Sequence, residues 1–138
     1  MAARERTPAT AGALAADLLA EACRSHSETS LRLEVVGDLA RDLGRRLEVL
    51  ADEGPLVEAA LACADLATLA ACNIPIIPDG DRPRAVAALH LAAGATRALI
   101  PLVESEAAAL DETSSGNTLR DAQSAGWRAD LAVRQLVG

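Results

Sequence analysis

The scarcity of aromatic side chains constrains the fold of this chain more than any other feature of its sequence. Phenylalanine and tyrosine are absent and Trp127 is the single aromatic residue, whereas 32 of the 138 residues are alanine and 21 are leucine. Alanine and leucine favour helices, while strands prefer β-branched and aromatic residues. A core of small side chains also requires helices that approach one another closely. We therefore predict an all-α fold in one domain spanning residues 1–138.

The charge of the chain limits the partners that it can bind. The net charge is −7, and all 13 basic residues are arginine. Neutralisation of phosphates dominates affinity for nucleic acids, so an acidic balance argues against DNA or RNA. The absence of lysine also excludes Schiff-base chemistry and a P-loop. We expect no nucleic-acid partner.

The cysteines and the hydrophobic runs indicate a cytoplasmic protein. Three cysteines occur at irregular spacing, which argues against a disulfide framework: Cys23, Cys63 and Cys72. The apolar stretch near the start is broken by Asp17 and Glu21, so no signal peptide is expected. The longest uncharged run, Leu66–Pro78, is too short to span a bilayer, and we expect no membrane partner.

Hydrophobic periodicity predicts an antiparallel bundle of about five helices. The predicted bounds are Pro8 to Arg24, Thr29 or Ser30 to Asp52, Pro55 to Cys72 or Asn73, Pro83 to Leu110, and Asn117 or Thr118 onward. Residues 73–82 and 111–116 read as loops because they are rich in proline, glycine, aspartate and serine. Pro101 lies inside the fourth helix, where it predicts a kink or a break.

The helices carry apolar stripes that predict which faces are buried. On the first two helices the leucine-containing stripes are Ala11, Leu14, Leu18 and Ala22, and Val36, Leu39, Leu43, Leu47 and Leu50. A second stripe of small residues contains Gly37, Ala40 and Gly44. It predicts either close packing of another helix or a bound ligand. The third helix is apolar nearly all round, which suits the centre of a bundle or a subunit interface.

Two pairs of polar residues are candidates for ligand binding. Glu58 and Asp65 lie seven residues apart on one face of the apolar third helix. They form either an acid/base or ligand-binding pair, or a solvated stripe whose carboxylates pair with arginine. His90 and Arg97 have the same spacing on the fourth helix. They form either a proton carrier beside an anion-binding group or the solvated face of that helix.

Trp127 lies on a stripe of the last helix that has the composition of a boundary rather than a core. The members of this stripe, here named the Trp127 row, are Arg120, Ser124, Trp127, Leu131 and Arg134. A tryptophan in that setting anchors a protein interface or stacks on a heterocyclic ligand.

Cys23 and His26 would need two further ligands to bind a metal, so we predict no metal site.

Three segments of the chain resemble segments of one enzyme family. GNTLRDAQSAGWRADLAV (Gly116–Val133) is similar to a Gly-Asn loop followed by an Asp-Ala-rich helix. TPATAGALAADLLA (Thr7–Ala20) resembles an N-terminal Thr-Pro segment with an alanine-rich helix, and RRLEVLADEGPLVEAAL (Arg45–Leu61) resembles a helix junction. An Ile-Pro pair at residues 74–75 follows in the same order. The family is the formiminotetrahydrofolate cyclodeaminase/methenyltetrahydrofolate cyclohydrolase family.

The resemblance implies an all-helical homodimer that handles folate one-carbon units without a metal or other cofactor, with a tetrahydrofolate derivative as substrate. It implies catalytic roles for Asp52 and Asp121, which would move protons, and a ligand-binding role for Asn117. The chain has Ala-Thr-Ala at residues 9–11, where the family has a glycine run. This departure favours a non-catalytic relative of the family.

The sequence therefore leaves three functional hypotheses. The first is a non-catalytic bundle that dimerises or binds a protein partner through the third helix or the Trp127 row. The second is a folate cyclodeaminase or cyclohydrolase. The third is a sensor domain that binds a small molecule on the Gly37 and Gly44 surface.

Overall fold

The protein is an all-α bundle, as the composition predicts. The computed structural model describes residues 6–26, 28 and 30–137. The helices are α1 (Thr7–Arg24), α2 (Leu31–Asp52), α3 (Leu56–Asn73), α4 (Arg82–Ala107) and α5 (Glu112–Val137), with a short 3₁₀ turn at Ile74–Ile76. No strand occurs in these described ranges.

The first four helices form an antiparallel ring in which each helix packs against the next and α1 closes onto α4. Side chains at the helix ends fix this order. The contacts are Arg6 Nη1 to Leu50 O (2.8 Å), Arg32 Nε to Asn73 Oδ1 (2.9 Å), and Leu56 N to Glu106 Oε1 (3.2 Å). Each contact joins the start of one helix to the end of the next, so successive helices run in opposite directions.

The fifth helix forms a second layer on one side of the ring. α5 packs against α3 and α4, and its alanines face them: Ala122, Ala125, Ala129 and Ala132. The opposite side of α5 is exposed. The apolar α3 lies at the centre, since it packs against α2, α4 and α5 and also reaches α1 across the ring. The prediction of a central third helix is confirmed.

The small-residue stripe of α2 is the surface on which α1 packs. A Cβ added to Gly44 would lie 2.9 Å from the Cβ of Ala16, and one added to Gly37 would lie 3.5 Å from the Cβ of Cys23. On α1 itself, a Cβ at Gly12 would lie 2.5 Å from the Sγ of Cys63. The approaches at Gly44 and Gly12 confirm the predicted close packing, whereas Gly37 is at ordinary van der Waals distance. Cavities of about 140 and 160 Å³ adjoin Gly37 and Gly44, so a ligand beside the stripe stays a prediction.

The two leucine-containing stripes are only partly buried, which corrects the sequence analysis. Leu14 is 55% exposed and Leu39 is 47% exposed, whereas Ala15, Ala16 and Ala40 are buried. The physical reason is the close approach of α1 and α2. Only small residues fit along the line where α1 and α2 touch. The bulkier leucines therefore lie at the edges of this contact, where they are partly exposed.

Pro101 does not break α4, which continues as one helix to Ala107. The proline is exposed, so its ring lies on the solvent side of the helix. Proline removes the amide that would bond to the carbonyl of residue 97. On the exposed side water can hydrate that carbonyl, and the helix therefore tolerates the loss.

The last helix begins at Glu112, about one and a half turns earlier than predicted, so residues 112–116 are helical and not a loop. The side chain of Asp111 accepts hydrogen bonds from the Ser114 amide (2.9 Å) and the Ser114 hydroxyl (3.0 Å). This is the geometry of an N-cap, in which a side-chain oxygen satisfies an amide of the first turn. The serines and glycine that read as a loop are the first turns of α5.

Two helical segments are long and apolar enough to cross a membrane by length and composition alone: Leu56–Ile76 and Arg82–Ala107. About half of each segment is buried within the bundle. The core helices of a water-soluble protein pass the same test. The feature is therefore weak support for membrane insertion, and the absence of a membrane partner stays a prediction.

Candidate functional site

The residues that the resemblance implies for catalysis lie on different elements. Asp52 is the last residue of α2, whereas Asn117 and Asp121 lie in the first half of α5. All three are exposed. α5 packs on α3 and α4 rather than on α2. None of the three lines any of five cavities in the described part of the chain.

The carboxylates of α3 face α5, and one of them is neutralised. Asp65 Oδ1 lies 2.7 Å from Arg128 Nη1, so the alternative of pairing with arginine holds for this residue. Glu58 is half-buried two turns earlier. α3 and α5 run in the same direction, and Asp121 precedes Arg128 by the same seven residues. The ion pair therefore sets a register in which Glu58 and Asp121 occupy matching positions along α3 and α5.

His90 and Arg97 are both exposed on α4, and Arg97 is engaged by another helix. Arg97 Nε donates to Asp130 Oδ1 at 3.0 Å, which joins α4 to α5 and leaves the guanidinium already paired. His90 is exposed on α4 and faces a groove beside α1. Two helical turns, about 10 Å, separate the two side chains along the axis.

The groove between α1 and α4 is an apolar surface that the sequence analysis missed. It holds a cavity of about 390 Å³ lined by Thr7, Pro8, Ala11, His90, Leu91, Gly94, Ala95 and Ala98. That volume suits a small ligand, but the cavity is open to solvent. A Cβ built on Gly94 would meet no atom within 4 Å, so the α4 side of the groove is uncovered.

The apolar surface extends beyond this groove. A second open cavity, of about 520 Å³, lies at the start of α4 and is lined by Asp79, Arg82, Pro83, Val86 and Ala87. Leu14 lies one turn after Ala11 on the exposed side of α1. We name this surface the α1–α4 face, formed by Ala11, Leu14, Pro83, Val86, Ala87, His90, Leu91, Gly94 and Ala98. The sequence indicates the α1–α4 face in one way only: residues 85–96 of α4 carry no formal charge.

The Trp127 row faces solvent along α5. Trp127 is 66% exposed and Leu131 is 40% exposed, and the remaining members of the row are exposed as well. The prediction that this stripe is a boundary rather than part of the core is confirmed. Its outward position leaves the tryptophan ring free to meet a partner.

A histidine–aspartate pair closes one end of the ring, and the sequence did not indicate it. His26 Nε2 lies 2.6 Å from Asp81 Oδ2, and both side chains are largely buried. Arg84 Nη1 approaches the other carboxylate oxygen of Asp81 at 3.4 Å. The pair joins the segment after α1 to the start of α4. It is one of the links that hold the α1–α4 seam together.

The cysteines are free thiols, and two of them are buried. Burial raises the pKa of the Cys63 thiol to about 12. Burial also raises the pKa of Cys23, against the opposing effect of the Arg41 guanidinium. Such thiols are poor nucleophiles because the thiolate is the reactive form.

Within the described residues, no group of three or more histidine, cysteine, aspartate or glutamate side chains could hold a metal ion.

Comparison with known proteins returns no relative that assigns a function. No family model matches the chain, and no curated protein and no solved structure matches it.

Proposed function

We propose that the chain is a non-catalytic helical-bundle module that forms a homodimer through the α1–α4 face. The observation that carries the proposal is the largely apolar, uncovered surface of α4 between Pro83 and Ala98. It is bordered by Arg84 and Arg97, both of which are in ion pairs. On α1, the exposed Leu14 lies one turn after Ala11, which lines the same groove. Contiguous exposed apolar surfaces of this kind are typical of protein interfaces.

The shape of the face suits a second copy of the same chain. The α4 side presents small residues, which permit another helix to approach closely: Ala87, Gly94 and Ala98. The exposed Leu14 supplies a bulky apolar side chain at the edge. A two-fold dimer could set the leucine of each copy against the small residues of the other, since a two-fold interface is self-complementary.

The dimer is tested by measuring mass in solution. Size-exclusion chromatography with light scattering at about 50 µM is expected to give twice the chain mass, and Leu14→Glu is expected to give a monomer, because a buried unpaired carboxylate opposes association. Leu31→Glu is the matched control: Leu31 is 76% exposed on α2, which contributes no residue to the face, and the variant should remain dimeric. A monomeric wild-type chain, or a dimer unaffected by Leu14→Glu, would overturn the proposal.

The non-catalytic part of the proposal is supported by the separate positions of Asp52 on α2 and Asp121 on α5. Descent from the cyclodeaminase family, without its activity, remains a prediction from the resemblance. It is tested by assaying cyclohydrolase turnover and by titrating Trp127 fluorescence with tetrahydrofolate derivatives. We expect no turnover and no saturable change. Turnover that is lost in Asp121→Asn would establish the enzyme instead.

A cytoplasmic location also remains a prediction. The odd number of free cysteines supports it, since disulfides are rare in reducing compartments.

A further inference from the structure

Two exposed arginines of α5 differ from most of the other arginines in this protein. Seven of the described arginines form ion pairs with carboxylates: Arg24, Arg41, Arg45, Arg82, Arg84, Arg97 and Arg128. Arg6 and Arg32 donate hydrogen bonds to neighbouring helices. Among the described residues, Arg46, Arg120 and Arg134 make no ion pair or hydrogen bond, and two of these three belong to the Trp127 row.

The two arginines lie at equal distances on either side of the tryptophan. Arg120, Trp127 and Arg134 are spaced by seven residues, so they share one side of α5 at intervals of about 10 Å. Trp127 is 66% exposed between them. Two carboxylates lie near the row on α5. Asp130 is already paired with Arg97, and Asp121 projects about 100° around the helix axis from Arg120, so neither faces the row as a free charge. The row is a local cationic surface on a chain whose net charge is −7.

Tryptophan and arginine are the residues that most often dominate the binding energy of protein interfaces. An exposed tryptophan between unpaired guanidinium groups is complementary to a bulky apolar side chain flanked by carboxylates. A helix presents such a set when its acidic residues lie seven positions before and after the apolar one. From this complementarity of charge and spacing, we propose that the Trp127 row binds an acidic amphipathic helix of a partner protein.

A second copy of this chain fits the row poorly. If two α5 helices paired antiparallel about Trp127, Arg120 of each copy would meet Arg134 of the other, because the two arginines are equidistant from the tryptophan. Like charges placed opposite each other oppose association. Self-pairing of α5 is therefore disfavoured, and we assign the acidic helix to another protein, at an interface separate from the α1–α4 face.

The probe is a synthetic helical peptide of 21 residues with a central leucine and a glutamate seven positions to each side. Its control has lysine in place of both glutamates. We expect the glutamate peptide to shift Trp127 emission to shorter wavelength in a saturable way, as the indole leaves water. The double variant Arg120→Gln/Arg134→Gln should raise the dissociation constant about tenfold. Arg46→Gln, which removes an equally unpaired arginine on α2, should leave it unchanged.

Several results would overturn the proposal. They are the absence of a saturable shift, an equal shift with the lysine peptide, or equal affinities for the double variant and the wild type. A shift that depends on protein concentration alone would assign the row to a second copy. Tighter binding of a single-stranded oligonucleotide than of the glutamate peptide would assign it to nucleic acid. Circular dichroism of the two arginine variants checks that each retains its helices, so that a loss of binding reports on the surface.

Discussion

At the scale of single residues, glycine serves different purposes in this protein. A Cβ at Gly44 would lie 2.9 Å from the Cβ of Ala16, whereas a Cβ at Gly116 meets no atom within 4 Å. Both positions are helical. Gly44 therefore permits two helices to touch, while Gly116 only lowers the intrinsic stability of α5.

This contrast predicts opposite effects of the same substitution. Gly44→Ala should lower the free energy of unfolding by roughly 1–3 kcal/mol, because the added methyl group forces α1 and α2 apart. Gly116→Ala should raise it by roughly 0.5–1 kcal/mol, because alanine favours the helix and has room there. Urea denaturation followed by far-ultraviolet circular dichroism measures both. An equal stabilisation by the two substitutions would show that α1 and α2 are not in close contact.

The candidate site residues show what single positions in a sequence can and cannot reveal. The exposure of Trp127 was predictable from its stripe, because helical spacing alone sets which residues share a side. The partners of Asp65 and Arg97 were not predictable, since Arg128 and Asp130 lie on another helix. The same holds for the His26–Asp81 pair, whose members are 55 positions apart in the chain.

At the scale of helices, the centres were more predictable than the ends. Periodicity located all five helices and the buried α3. It failed at the start of α5, where a serine- and glycine-rich segment is helical because Asp111 caps it. It also failed to assign the exact faces of α1 and α2. Leucine and alanine both count as apolar, and only the close packing of the helices decides which type lies on the contact line.

The cap predicts how the stability of α5 depends on pH. Hydrogen bonds from the Ser114 amide and hydroxyl lower the pKa of Asp111. A carboxyl whose pKa is lower in the folded state stabilises that state above its unfolded pKa, and the contribution is lost as the pH falls through the folded pKa. Asp111→Ala should therefore lower the melting temperature at pH 7, and its difference from the wild type should shrink below about pH 4.

Thermal melts of the wild type and the variant between pH 2.5 and 7 test this expectation. Asp52→Ala is a suitable control, since Asp52 is an exposed carboxylate at a helix C-terminus, where it has no capping role. A difference in melting temperature between the wild type and Asp111→Ala that does not change with pH would show that the charged carboxylate is not what stabilises the start of α5.

At the scale of the whole molecule, the fold class followed from composition but the functional surfaces did not. Few aromatic residues and abundant alanine were enough to predict a closely packed helical bundle. The α1–α4 face depends on which side of α4 remains uncovered after α1 and α5 have packed, and this is a property of the assembled bundle. Asp52, Asn117 and Asp121 were identified from similarity in sequence. Such similarity does not show whether the residues lie close together in the folded protein.

The seam between α1 and α4 also bears on the order in which the bundle assembles. Every other strongly packed pair joins helices that are adjacent in the chain or one helix apart, whereas this seam brings together the first and fourth. Its closure requires the longest loop and carries the largest entropic penalty, so we expect it to form late in folding and to open first. A surface divided between these two helices exists only once the ring is complete. An unfinished chain would thus be unable to enter the proposed dimer, and assembly would select for folded molecules.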